Sequence, residues 1–514
     1  LPARLGVITN SLASRVIVGT VLTNTFAVSN SAPVTVTNGA DRLDYAFSGS
    51  GQLSASGTGT NWALTAANSH SLVFSTTNAG TNTGSLVVSA SSPQTANANV
   101  TNHFSVEALH RAAPSFASNA VTLSLEIDLG TLSLGDAAAL QSFDVFNRAG
   151  ASGGAWTSRL DLDSITASVP AGIFSTTLSP FANLNAGSSG TYQVSLASGA
   201  LGNFAGTYTL NLSDENLPGA GSHSLTLNVR GEVNGNLSIG SGQFRAESNA
   251  ITGAGSLVKQ GQGTLILAAS NSYAGNTIVS SGTLALAQGA TLGASDLIRV
   301  AAGAKLDVSA RTNGLTVNSG QTLAGSGTVQ GDLRIDGTIA PGNSPGTLTI
   351  TNGNHIWAAG GSYDWQIFDL DDGSGIGWDF IDITSGSLLF SGLSLATPFT
   401  INIFSLSELP DTQGVLAGFN PASDYAWSIL SAANPISGFN PTHFTLNTSA
   451  FTTYNSLNGG LFSLEARSNE LFLVYDGVGG AAVPEPGTWV AAALLLAVAV
   501  LRFRRRLFSH PSVG

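Results

Sequence analysis

Between Val233 and Gly353 one short step recurs: a glycine, a polar residue, then an aliphatic one. It stands at Gly263-Thr-Leu265, Gly282-Thr-Leu284, Gly303-Ala-Lys-Leu306, Gly320-Gln-Thr-Leu323, Gly327-Thr-Val329, Gly337-Thr-Ile339 and Gly346-Thr-Leu348. A period of roughly 17–21 residues is that of a solenoid whose repeats stack on one another. Glycine permits the sharp corner. The aliphatic residue after it points inward onto the rung below, and Asn or Ser at a corner can hydrogen-bond the turning backbone. The spacing predicts a parallel β-helix over 233–353, with Leu257, Leu265, Leu267, Ile278, Leu284 and Leu306 inward.

Within this region Gly253-Ala-Gly-Ser-Leu-Val-Lys-Gln-Gly261-Gln-Gly263-Thr-Leu-Ile-Leu267 runs into Asn271-Ser-Tyr273-Ala-Gly275-Asn-Thr277-Ile-Val279 and Gly282-Thr-Leu284. The segment resembles the autotransporter-associated β-strand repeat of passenger domains, with one full copy and degenerate continuations. That resemblance implies a right-handed β-helix. Lys259 lies inside the motif, where a structural role is expected.

The flanks read as β without a helical period. Over 1–112 the runs Arg15–Leu22, Leu72–Phe74, Leu86–Val88 and Phe104–Val106 alternate with turn-rich gaps. Over 113–232, Val121, Leu123, Leu125, Ile127 and Leu129 alternate with polar residues. Each is expected to form an immunoglobulin-like β-sandwich. Aromatic content rises over 354–480, which is expected to be a β-rich cap, because an open solenoid end recruits other chains.

The last segment, 481–514, is a linker followed by a three-part tail. Val483, Pro484, Glu485 and Pro486 precede an apolar run from Trp489 to Leu501, which ends at Arg502, Phe503, Arg504, Arg505 and Arg506. Motif, apolar run, basic cluster and terminal position together resemble the PEP-CTERM sorting signal. The resemblance implies processing by an exosortase-type membrane enzyme. It also implies a transmembrane helix through the inner membrane in transit, the arginines cytoplasmic, and a preceding signal peptide. An ordinary single-span anchor is the other reading. On both, the body is exported to the cell surface or beyond.

The formal charge is −12, and residues 502–514 contribute four arginines without an acid, so everything before Arg502 carries −16. That disfavours nucleic acid as a partner. The chain has no cysteine, which excludes disulfides and thiolate chemistry. Gly342-Asn-Ser344-Pro-Gly346 matches the Gly-x-Ser-x-Gly elbow, but a strand follows instead of a helix, so a solenoid corner is expected. Asp369, Asp371 and Asp372, within the acidic run Asp364–Asp382, are a weak calcium candidate. The seven histidines are scattered without metal-ligand spacing, and the basic residues of the repeat region group with no carboxylate in the sequence.

The expected whole is an all-β, non-enzymatic surface or extracellular-matrix protein without catalytic residues or cofactor. Its elongated β surface contacts exopolysaccharide or other surface proteins. Two alternatives stand: a β-helix polysaccharide lyase or glycoside hydrolase, marked by acids and a base gathered in one groove, and a self-assembling surface-layer component.

Overall fold

A computed structural model describes residues 1–149, 154–342 and 344–478. The chain divides into two compact units, residues 1–199 with 203–233, and residues 200–202 with those from 234 onward.

In the first unit the alternation of apolar and polar residues produces sheets buried on one side. Leu5–Thr9, Val21–Asn30, Asn68–Ser75 and Leu53–Ser54 form one sheet, in the spatial order in which they are named. Arg15–Ile17, Asn99–Leu109, Gly80–Ala90, Leu43–Gly51 and Ser56–Asn61 form the other. Both supply one core, in which Phe26 meets Phe47 edge-on at 5.1 Å beside Leu72, Leu86, Val88 and Val106. A second set follows: Pro114–Ser115, Ala139–Asn147, Ser188–Leu196 and Phe174–Thr176 in one sheet, and Phe181–Leu184, Leu160–Ser168 and Ala200–Asp214 in another. These are antiparallel, but an immunoglobulin-like topology is not shown. The strand expected at Val121 begins at Ser124. Val121 and Leu123 are exposed and only Ile127 of that series is buried, so the alternation starts before the backbone pairs.

The second unit is a stack of parallel coils. One column of strands contains Leu257–Gln260, Thr277–Val279, Leu297–Val300, Thr322–Gly325, Thr338–Pro341, Ser362–Ile367, Phe399–Glu408 and Phe444–Asn447, each paired in parallel with the next. A second column runs from Phe244–Glu247 through Thr264–Leu267, Thr283–Leu286, Lys305–Asp307, Thr328–Gln330, Thr347–Thr351 and Phe380–Ile383 to Tyr425–Ala432. A third holds Leu315–Val317, Leu333–Ile335, His355–Ala358 and Leu388–Ser391. The parallel stacking crosses residue 353 without a break. The second column ends in an antiparallel hairpin, where Glu470–Asp476 pairs with Tyr425–Ala432 and with Leu461–Arg467.

Inside, register stacks Leu265 on Leu284, Leu306, Val329, Ile350 and Ile383, all buried. Leu257 and Leu267 are buried as expected, but Ile278 is not: Thr277 and Val279 point inward instead. The threonine is satisfied there, because its hydroxyl hydrogen-bonds Tyr273 Oη at 2.7 Å and Ser295 Oγ at 2.8 Å. A polar residue with buried partners can occupy an inward position. Corners use the chemistry expected of them. Asn271 is buried, accepts the Ile251 N–H at 2.9 Å and donates to Thr291 O at 2.7 Å. Gly282, at φ +66, lies so close to the preceding coil that a Cβ would sit 2.4 Å from Gly261 O. Lys259 is fully buried, and its Nζ donates to the carbonyls of Gln260, Gly261 and Ser281 at 2.7–3.0 Å. Burial pushes this ammonium below the ordinary lysine range.

Among the described residues no helix is long and apolar enough to cross a membrane. The expected transmembrane helix and the sorting residues Val483, Pro484, Glu485, Pro486, Arg502, Arg504, Arg505 and Arg506 lie outside the described residues.

Candidate functional site

Side chains alternate in and out along a strand, so the first column presents an outward row. Register places Arg299 beside Ala324, and Ala324 beside Ala340. Asp364 follows on the next strand and stands beside Asn402, which stands beside Asn447. Two alanines between longer side chains leave a depression. It has a volume of about 400 Å³ and is lined by Arg299, Asp364, Gln366, Phe404, Asp411 and Gln413, among others. Rungs lie ~4.8 Å apart, so the strands that carry Arg299 and Asp364 are ~14 Å apart along the stack.

The acidic end is ordered by hydrogen bonds. Asn447 Nδ2 donates to Asn402 Oδ1 at 2.9 Å, and Asn402 Nδ2 donates to Asp364 Oδ1 at 2.7 Å. Gln366 Nε2 donates to Asp411 Oδ1 at 3.2 Å. Among the described residues, the second oxygen of Asp364 and of Asp411 makes no hydrogen bond. Burial raises Asp364 above the usual carboxylate range, with the Asn402 bond acting the other way.

Asp379 lies beneath, almost fully buried. Its oxygens accept the Gly346 N–H at 2.9 Å and the Gln366 N–H at 3.0 Å, tying the corner at Gly346 to the strand Ser362–Ile367. Burial pushes its carboxyl well up; those two bonds oppose this, and the charges of Asp411 and Asp364 add to it. It is a fastening of the trough floor, whose proton affinity is a by-product of that position.

The other candidates fall elsewhere. Ser344 is in a corner followed by the strand Thr347–Thr351, and its hydroxyl donates to Pro410 O. It lines the trough, but no histidine does among the described residues. Asp369 accepts the N–H groups of Asp371 at 2.8 Å and Asp372 at 3.3 Å, closing an exposed loop. Among the described residues no three His, Cys, Asp or Glu side chains are grouped to hold a metal. Arg299, Asp411, Gln366 and Gln413 were not singled out as a site in the sequence. They come together only through inter-coil register, and the one visible signal is a charged residue at an outward position of the repeat.

The fold and trough thus define a parallel β-solenoid with a charged groove on one outer face. The repeat itself is recognisable: the family described as Passenger-associated-transport-repeat matches residues 257–286. An extracellular serine protease of Serratia marcescens is 37% identical over 128 residues, covering 24% of this chain and 10% of that protein. The adhesin BmaC autotransporter of Brucella suis biovar 1 (strain 1330) is 38% identical over 104 residues, 20% of this chain and 3% of the adhesin. The chain therefore spans a small part of the length of these relatives. Among solved structures, CfaE, the adhesive subunit of the CFA/I fimbria of enterotoxigenic Escherichia coli, aligns over 45% of this chain and 97% of that one. Identity there is 10% and the TM-score 0.19, a likeness too slight to define a fold. The protease match overturns the expectation of a non-enzymatic chain, because sequence of this type is carried by a protein named for its catalysis.

Proposed function

We propose that this is an exported surface protein whose solenoid holds polysaccharide in the trough between Arg299 and Asp364. The observation that carries the reading is the trough itself, a groove of amides, carboxylates and one guanidinium with Phe404 on its wall. Sugar hydroxyls need hydrogen-bonding groups of this kind, and an aromatic face supplies apolar contact. The repeat family and the partial matches to an extracellular protease and an autotransporter adhesin support export.

Delivery on this reading uses the tail as a PEP-CTERM-type signal, with Val483, Pro484, Glu485 and Pro486 offered to an exosortase-type membrane enzyme and the four arginines retained inside. The C-terminal mass of the mature protein, from hosts with and without that enzyme, tests this part. A mature surface form ending at Gly514 would reduce the tail to a plain anchor.

The trough is tested by retention of the full chain on immobilised neutral, amino and acidic polysaccharides. Binding should be lost in a variant carrying Ala324→Trp and Ala340→Trp, which fills the depression. Equal retention of wild type and variant would remove the trough from the function.

A second reading, glycoside hydrolysis, is favoured by the carboxylates of Asp364 and Asp411 sharing one groove. It predicts new reducing ends that disappear on Asp364→Asn. Asp379 lines the same groove, its oxygens accepting the Gly346 and Gln366 N–H groups.

A further inference from the structure

The proposal above leaves the kind of glycan open, and the charges along the trough narrow it. At one end stands a single cation, Arg299; at the other, two carboxylates, Asp364 and Asp411, share the cavity. Each has one oxygen already engaged within the protein, by Asn402 and by Gln366. Those two bonds hold the carboxylates in place and leave a second oxygen on each for a ligand. Asp379, below them, accepts backbone N–H groups through both oxygens.

Resting on the reading that the trough holds polysaccharide, the geometry points to a glycan with a free amino group, its ammonium seated between Asp364 and Asp411. An ammonium offers three donors and no acceptor, which suits two carboxylate oxygens facing one space. Charge-assisted bonds of this kind are about twice as strong as neutral ones. A uronate at the same place would set a third negative charge against the two carboxylates, and like charges in one site repel. Arg299 is carried three coils away, ~14 Å from strand to strand, so a group seated between Asp364 and Asp411 has the two carboxylates as its nearer charges. An N-acetylated sugar fits sterically but brings neither charge nor three donors. The Arg299 end is left to a neutral or anionic substituent further along the chain, so the trough also gives the glycan a direction.

The test is calorimetric titration of the full chain at about pH 6 with three probes: a glucosamine oligomer, its fully N-acetylated counterpart, and an oligogalacturonate. The glucosamine oligomer should bind at least about tenfold more tightly than either of the others. Asp364→Asn and Asp411→Asn should each remove most of that preference while leaving the melting temperature near that of the wild type. Should Asp364→Asn fail to fold, Asp411→Asn, in an exposed segment, still decides the matter. Equal or tighter binding of the acetylated oligomer or the oligogalacturonate would overturn the ammonium assignment and leave the polysaccharide reading intact. Binding of a lysine oligomer in the trough with no glycan bound would overturn both.

Discussion

His355 shows what one side chain can impose on a coil. It is fully buried on the third column, and Trp357 Nε1 donates to its Nε2 at 2.7 Å, which requires the ring to be neutral there. Burial pulls its pKa down to about 3, against a weaker opposing effect from the Leu333 backbone. The unfolded chain takes up this proton near pH 6.5 and the folded one does not. Stability is therefore fully present above about pH 6.5, falls as pH drops, and levels off below about 3. By pH 4 this one residue should account for a loss of roughly 3 kcal/mol. Urea titrations between pH 7 and 4 should give that slope, and His355→Gln should flatten it whatever its effect on stability at pH 7. An unchanged slope in the variant would place the acid sensitivity elsewhere.

At the scale of the element, corner glycines are not equivalent. At Gly282 the positive φ and the close approach of Gly261 O act together. At Gly303 φ is +75 but an added Cβ would meet nothing within 4 Å. Gly303→Ala should thus cost about 1 kcal/mol, from the backbone alone. Gly282→Ala should cost several times that, since neighbouring backbone must also shift. Thermal melts of the two variants should separate them, and similar losses would contradict the stacking geometry. This difference was not legible in the sequence, where both glycines read as the same repeat position. The inward series Leu257, Leu265, Leu267, Leu284 and Leu306 was legible, because burial follows a period of two. Ile278 was misplaced by one residue because Thr277 looks polar until Tyr273 and Ser295 are seen beside it. The trough was less legible still. Arg299, Ala324, Ala340 and Asp364 are separated by unequal lengths of chain, and only the hydrogen-bonded register aligns them.

For the molecule as a whole, the parallel columns pose a termination problem, since a strand without a neighbour offers its N–H and C=O groups to any other chain. The antiparallel hairpin Leu461–Arg467 with Glu470–Asp476 covers Tyr425–Ala432. It is sealed by packing as well: Trp427 stacks on Phe462 at 6.3 Å, and Phe451 meets Phe462 edge-on at 5.3 Å. A chain ending at residue 458 should lose this cover and self-associate. Sedimentation velocity should then show concentration-dependent larger species that the chain ending at residue 478 lacks; a monomeric truncation would mean the hairpin is not what protects the edge.

The outward row of the first column has a further consequence. Its residues share strands with the inward series Ile298, Leu323, Ile339, Tyr363 and Ile401 yet take no part in it, so each strand is written in two interleaved scripts. One script is constrained by volume and must stay aliphatic or internally bonded. The other is bound only by hydration and by what it is meant to hold. Substitutions can accumulate in the second without disturbing the first, so a lineage can recode the groove while inheriting the scaffold unchanged.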